Sequence, residues 1–297
     1  MEFSETIVKV GYSEHAKPQH IIPISLGENK NLSESQFYNL VSPILQKVFD
    51  RLMCNPTTRR VVLVLPPFSP SALEAAIKQM LWNKGVPAIA LWSTLDIMPV
   101  AQGWKRGLIV NVSLNEAVCV CHADGHVLPF TYQSVPCGYS KILPDISKIQ
   151  TEWTDEMDKV VLNENNPNSL VVALLKSLEE CPRDIRPFVV ANTVFCGEGM
   201  ILLPDLGRRV VRHIKQVLEG EDSSMGLSES STEEQLTMIP IKTKTLAPLA
   251  SKINLISCAP YRPDWISWVA SSLWAVIWNK YDDDESRIQW TFNPASE

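Results

Sequence analysis

Gly197-Glu198-Gly199 follows an apolar run over 189–195 and precedes a helix-like segment that begins near Pro204. Strand, glycine turn and helix in that order can cradle a phosphate, because backbone amides approach an anion closely only where no Cβ intervenes. The same pattern also serves as scaffold, with glycines keeping the turn tight so that strand and helix pack. Glu198 favours scaffold: a carboxylate beside a polyphosphate in a half-buried cleft is repulsive by roughly a kcal/mol or more. Other chemistry-bearing types are scattered. His122 and His126 flank Asp124-Gly125 and have the side chains for a metal or a general base. Asp282-Asp283-Asp284-Glu285 is acidic enough for calcium but lacks the ligand spacing and glycine of such a loop, so a solvated acidic tail is expected. Ser69 and Ser71 lie in Pro-Phe-Ser-Pro-Ser, which opens a helix and is no nucleophile elbow. Cys119 and Cys121 have one residue between them, where zinc sites use two to four; the cysteines read as buried, reduced thiols.

The elements that must position these residues read as α/β. Residues 7–24 form strand, turn and strand. Ser33 caps a helix and Gln36 completes a capping box, with Phe37, Leu40, Val41, Ile44, Leu45, Val48 and Leu52 on one face. Residues 61–65 are continuously apolar, as in a strand covered on both sides. A helix over 71–84 closes at Gly85, and a strand resumes over 86–91, implying a right-handed parallel crossover. Residues 108–112 and 117–121 pair as a hairpin, continued by 127–131. After a weakly patterned stretch over 140–168 come a short helix over 170–178, the strand at 189–195 and a helix through Gln216. Residues 219–234, rich in Ser, Glu and Gly, read as a mobile insertion. Residues 264–280 form a tryptophan-heavy helix with Asp264 as its N-cap. Two similar strand–helix halves emerge, without an exact repeat.

Bulk properties narrow the classes. A formal charge of −6 argues against non-specific nucleic-acid binding. No apolar run approaches the ~20 residues that span a bilayer, and the first residues lack the pattern of a signal peptide. An intracellular protein is expected.

Four stretches, in order, resemble the actin family. Residues 8–24, VKVGYSEHAKPQHIIPI, are similar to its K-x-G-[FY]-A-G-x-x-x-P-x-x-x-x-P opening. Residues 85–112 resemble the strand, helix and strand that lead into its second phosphate loop. Residues 181–200, CPRDIRPFVVANTVFCGEGM, resemble C-D-x-D-I-R…A-N-T-V-L-S-G-G-T-T-M, and DWISWVASSLWAVI resembles the W-I-G-G-S-I-L helix. Within the family, CNPTTRRVVLV is similar to the N-P-x-x-R-R-V-V stretch of the actin-related protein at the pointed end of dynactin. The resemblance implies an actin-like, ribonuclease-H-like duplicated, bilobed α/β fold. Its lobes would be 1–138, with a minimal subdomain 2 at 25–54, and 139–263, with subdomain 4 largely lost; 264–297 would return to subdomain 1.

The family binds ATP with Mg²⁺ between two glycine loops, and the resemblance implies that this site has decayed. The first loop, D-x-G-x-G, falls on Glu2-Phe3-Ser4-Glu5-Thr6, and most of the preceding strand has no counterpart. The second, D-x-G-D-G, falls on Asn111-Val112-Ser113-Leu114-Asn115, and the water-positioning glutamine on Thr94. The adenine-side G-G-T-T-M becomes Gly197-Glu198-Gly199-Met200, and a basic residue becomes Asp264. The expectation is no catalysis, no metal and no cofactor. His122 and His126 fall on a hairpin tip as solvated residues. Leu273, Trp274 and Ile277, with Val100 and Gly103 on the opposite lip, fall where the family receives a neighbouring protomer; Trp268 is expected in the core and Trp274 at the interface.

Subdomains 2 and 4 build the family's pointed-end surface, and subdomains 1 and 3 its barbed-end surface. Losing the first pair and keeping the second implies a cytoplasmic, cytoskeletal cap on the pointed end of dynactin's actin-like filament, supporting dynein-dynactin transport. Its partners would be filament protomers and other pointed-end subunits, with no nucleic acid and no membrane insertion. The alternatives are a nuclear actin-related subunit of a chromatin-remodelling complex and a nucleotide-binding actin-like ATPase.

Overall fold

Leu63 and Leu65 are buried on one face of a strand and Val64 on the other, which is why residues 61–65 show no polar alternation. The computed structural model describes residues 1–25, 32–103, 105–143, 145, 149, 152–220, 243–280 and 290–294, with backbone alone at 243–244 and 278–280. The insertion expected over 219–234 lies outside the described residues from 221 onward, as does the acidic run 282–285. The chain divides into two compact units, residues 1–103 with 265–297 and residues 104–264.

Unit 1 begins with β1 (Glu2–Phe3), β2 (Ile7–Val10) and β3 (His20–Pro23), an antiparallel meander. Helix α1 (Glu34–Leu52) starts at the expected capping box: Gln36 N–H donates to Ser33 Oγ at 3.4 Å and Ser33 N–H to Gln36 Oε1 at 2.9 Å. Strand β4 (Val61–Leu65) runs parallel to β1, and after α2 (Ser71–Asn83) strand β5 (Ala88–Ser93) runs parallel to β4. Phe37, Val41 and Leu45 of α1 meet Ile77 and Leu81 of α2 in a core over one sheet face. Gly85, at φ +79, turns the chain from α2 into β5 as a helix C-terminus requires. Helix α3 (Thr94–Gln102) ends the segment.

Unit 2 opens with β6 (Arg106–Val112), β7 (Ala117–Ala123), β8 (His126–Val127) and β9 (Gln133–Val135); β8 and β9 both pair with β7. The third strand expected over 127–131 stops at Val127 because Pro129 offers no N–H to the ladder. This meander pairs with later strands, so the unit boundary falls after Gly103, which corrects the expected 1–138 lobe. Helices α4 (Tyr139–Ile142) and α5 (Asp155–Val161) follow, and α6 (Leu170–Glu180) then covers β7. The strand expected over 189–195 is also corrected. Val189 and Val190 belong to α7 (Arg186–Val190), begun by Pro187 in its first turn, and β10 is Thr193–Cys196. Beyond it lie α8 (Gly199–Leu202), α9 (Leu206–Glu219), α10 (Thr243–Leu246) and β11 (Leu255–Ile256). Helix α9 buries Leu206, Val210, Ile214 and Leu218 in a core that includes Val110, Cys119 and Leu174.

The chain then returns to unit 1. Helix α11 (Ile266–Lys280) packs on α3, and β12 (Trp290–Phe292) adds antiparallel to β5. The strand orders are β12-β5-β4-β1-β2-β3 and β11-β10-β6-β7-β8. Apart from β12 in one and β9, which also pairs with β7, in the other, they share one plan: a three-stranded meander whose first strand carries two further parallel strands.

Candidate functional site

In unit 2, β6 and β10 run parallel with Asn111 in register with Cys196, so residues 113 and 197 leave the sheet at the same edge. Open α/β sheets place ligands outside such carboxyl ends. Asn111, Ser113, Gly197 and Gly199 are therefore brought together, as the sequence implied. Their contacts are with one another and with neighbouring backbone. A Cβ on Gly197, at φ +94, would lie 2.5 Å from Asn111 Oδ1 and 2.6 Å from Val112 O; one on Gly199 would lie 2.6 Å from Val112 Cγ1. Both glycines are required by the close approach of β6. Gly197 N–H donates to Pro263 O at 3.2 Å, and Ser113 N–H to Glu116 O at 2.9 Å. Asn111 Nδ2 donates to Ser113 Oγ at 3.4 Å. Asn115 is exposed at the tip, and Glu198 is half-buried.

The turn after β6 is filled by a residue that local pattern did not single out. A Cβ on Gly138 would overlap the backbone of Leu114 and Asn115. Beyond it, Tyr139 N–H donates to Ser113 O and Ser140 N–H to Leu114 O, both at 3.0 Å. Pro136-Cys137-Gly138 marks a turn in the sequence, but not what the turn packs against.

In unit 1 the equivalent turn, after β1, closes on one hydroxyl. Ser4 Oγ accepts from Thr6 N–H at 3.3 Å and Ile7 N–H at 3.1 Å, while Ser4 N–H donates to Ile7 O at 2.9 Å. Behind it Lys9 pairs with Glu2 at 2.8 Å, both buried, and Ser267 Oγ donates to Glu2 Oε1 at 2.6 Å. Thr94 Oγ1 donates to Leu65 O at 2.8 Å. No protein-family model matches the chain, and no curated protein matches it at a significant level.

The histidines part company. His126 is exposed as expected, but His122, at 1% exposure, is buried in β7 opposite Gly107, which corrects its assignment to a solvated tip. Burial holds its pKa below the ordinary imidazole value, against hydrogen bonding to the backbone of Lys105 and Gly125. Among the described residues no three His, Cys, Asp or Glu side chains are grouped to hold a metal ion. Cys54 is half-buried and the other six cysteines are buried free thiols; burial pushes the Cys258 thiol up to about 11.

On unit 1, Val100, Leu273 and Ile277 are 38%, 40% and 45% exposed, on packed helices α3 and α11. Gly103 caps α3 at φ +66 with nothing within 4 Å of where a Cβ would stand. Trp274 corrects the expectation of a surface anchor: it is 5% exposed, its ring 5.1 Å from that of Trp92 and 6.2 Å from that of Trp290. At 100° per residue it falls on the inward side with Ala270, while Leu273 and Ile277 turn outward. Trp268 is buried as expected, its indole donating to His15 O at 3.3 Å. Asp264 is buried in a two-bond pair with Arg262, at 3.0 and 3.1 Å. No helix among the described residues is long and apolar enough to cross a membrane.

Proposed function

We propose that this chain is a non-catalytic member of the actin family that ends the dynactin filament at its pointed end and presents a platform to neighbouring subunits. The observation that carries the reading is the repeated strand plan, in which both turns that would hold phosphate are closed from within. A duplicated meander with two added parallel strands supports the actin-like, ribonuclease-H-like fold. Turn amides that already bond to Ser4 Oγ or to the carbonyl of Glu116 offer a phosphate little, and hydrolysis needs donors and metal carboxylates that are free. The apolar residues Val100, Leu273 and Ile277 on unit 1 suit the docking of a protomer, with Trp274 as the packed support beneath. The protein would then act in the cytoplasm, on the cytoskeleton.

The test is to mix the purified protein with dynactin's filament and image the particles. Density at the pointed end alone is expected. Density at the barbed end or along the side overturns the reading, and stoichiometric ATP or ADP in the purified protein overturns the claim that the site is closed.

A further inference from the structure

Cys121, on β7, and Cys181, the C-cap of α6, are buried free thiols that hydrogen-bond to each other. A second observation sets them side by side. Both meet the carbonyl of Ser177, Cys121 through its thiol at 3.6 Å and Cys181 through its N–H at 3.2 Å. Their backbones are pinned in that position: Cys121 N–H donates to Thr131 Oγ1 at 2.9 Å, and the Cys181 carbonyl accepts from Arg186 Nε at 2.6 Å. A metal does not explain the contact, since among the described residues no three His, Cys, Asp or Glu side chains group together. Cys121 also differs from Cys119, two residues away on the same strand. Burial pushes the Cys119 thiol far above its ordinary range, whereas at Cys121 the hydrogen bond from Cys181, joined by that from Ser177, outweighs burial and holds the thiol below it. The thiolate is the form that oxidants attack. Pro182, Arg183 and Asp184, which follow Cys181, are exposed, so a small local opening at the end of α6 admits a small oxidant.

We propose that Cys121 and Cys181 form an oxidation site, which hydrogen peroxide converts to an intramolecular disulfide tying β7 to the end of α6. The Cys121 thiolate attacks one peroxide oxygen and the O–O bond breaks. Hydroxide leaves and takes up the proton that Cys121 gave up, and Cys121 becomes a sulfenic acid. Cys181 then attacks that sulfur, and the displaced hydroxyl departs as water with the proton of Cys181. Two thiols and one peroxide thus become one disulfide and two waters, with both sulfurs oxidised and the peroxide reduced. The inference does not depend on the filament reading.

Treatment of the folded full chain with hydrogen peroxide, followed by alkylation in denaturant and peptide mass spectrometry, tests it. The expected result is the loss of two of the seven thiols to a single cross-link between Cys121 and Cys181, reversed by dithiothreitol. Cys119 should remain open to alkylation. Cys181→Ser should stop the cross-link and leave Cys121 as a sulfenic acid that dimedone traps. Absence of the cross-link, its formation only when the chain is unfolded before oxidation, or oxidation of Cys119 at an equal rate overturns the proposal. Dimedone labelling of some other cysteine in Cys181→Ser overturns Cys121 as the attacking sulfur. The cross-link is read on the unaltered chain, so that result stands even where the serine variant fails to fold. The assay contains no filament, so its failure leaves the pointed-end reading to its own test.

Discussion

In unit 1 the turn after the first strand closes on the hydroxyl of Ser4, two residues from the amide it serves first. In unit 2 the corresponding turn is stopped by Gly138, which lies 25 residues beyond Ser113 and packs its backbone into Leu114 and Asn115. One strand plan therefore keeps its turn shut by a local device in one unit and a tertiary one in the other. The difference teaches where each turn is vulnerable. A local cap can be removed for the cost of a hydrogen bond, whereas an intruding backbone cannot tolerate one added carbon.

The behind-turn chemistry differs too, and the largest expected effect lies there. Lys9→Met leaves the buried carboxylate of Glu2 without its cation and should destabilise the protein by about 3–5 kcal/mol. The double variant Glu2→Leu/Lys9→Met should recover most of that loss. Denaturant titrations of the four species decide it, and additive losses would contradict the pairing. Next, Gly138→Ala should cost about 3 kcal/mol, since backbone on both sides must yield. Ser4→Ala, the matching change in unit 1, should cost only about 1 kcal/mol. Equal costs would erase the distinction between a tertiary and a local device. Neither variant should bind a fluorescent ATP analogue, as measured by anisotropy.

The smallest effect is a pH dependence confined to unit 2. Burial lowers the pKa of His122 in the folded chain, while the unfolded imidazole takes up its proton at about 6.5. Below that value the unfolded state holds more protons, so stability falls as pH drops and is fully present above it. Melting followed between pH 7.5 and 5 should shift downward, and His122→Gln should flatten the dependence. An unchanged slope in the variant would assign the pH effect elsewhere.

Much of the fold was legible because its signals are local. The capping box at Ser33 and Gln36, the apolar run at 61–65 and the left-handed Gly85 each act within a few residues. The errors arose where a local pattern admits two outcomes. Val189 and Val190 continue the apolar run into β10, yet Pro187 makes them the end of a helix. Helix α11 has large apolar residues at many angles, so its sequence does not say which tryptophan turns inward; Trp92 and Trp290, far apart in the chain, decide it for Trp274. His122 follows the same logic, its burial set by pairing with Gly107. At the candidate site the glycines were visible as a turn, but Gly138 gains its meaning only from partners brought up by the fold, as do Cys121 and Cys181.

Unit 1 is discontinuous, made from residues 1–103 and 265–297, and this orders events during synthesis. While the ribosome is still making unit 2, the sheet face around Val64 and Ala90 lacks Ala270 and Trp274, and β5 has an open edge where β12 will pair. Unit 2 is one uninterrupted segment and can complete its core as soon as it emerges. The N-terminal strands must wait with an apolar face uncovered, a natural client surface for a chaperone, until the tryptophan helix arrives to close it.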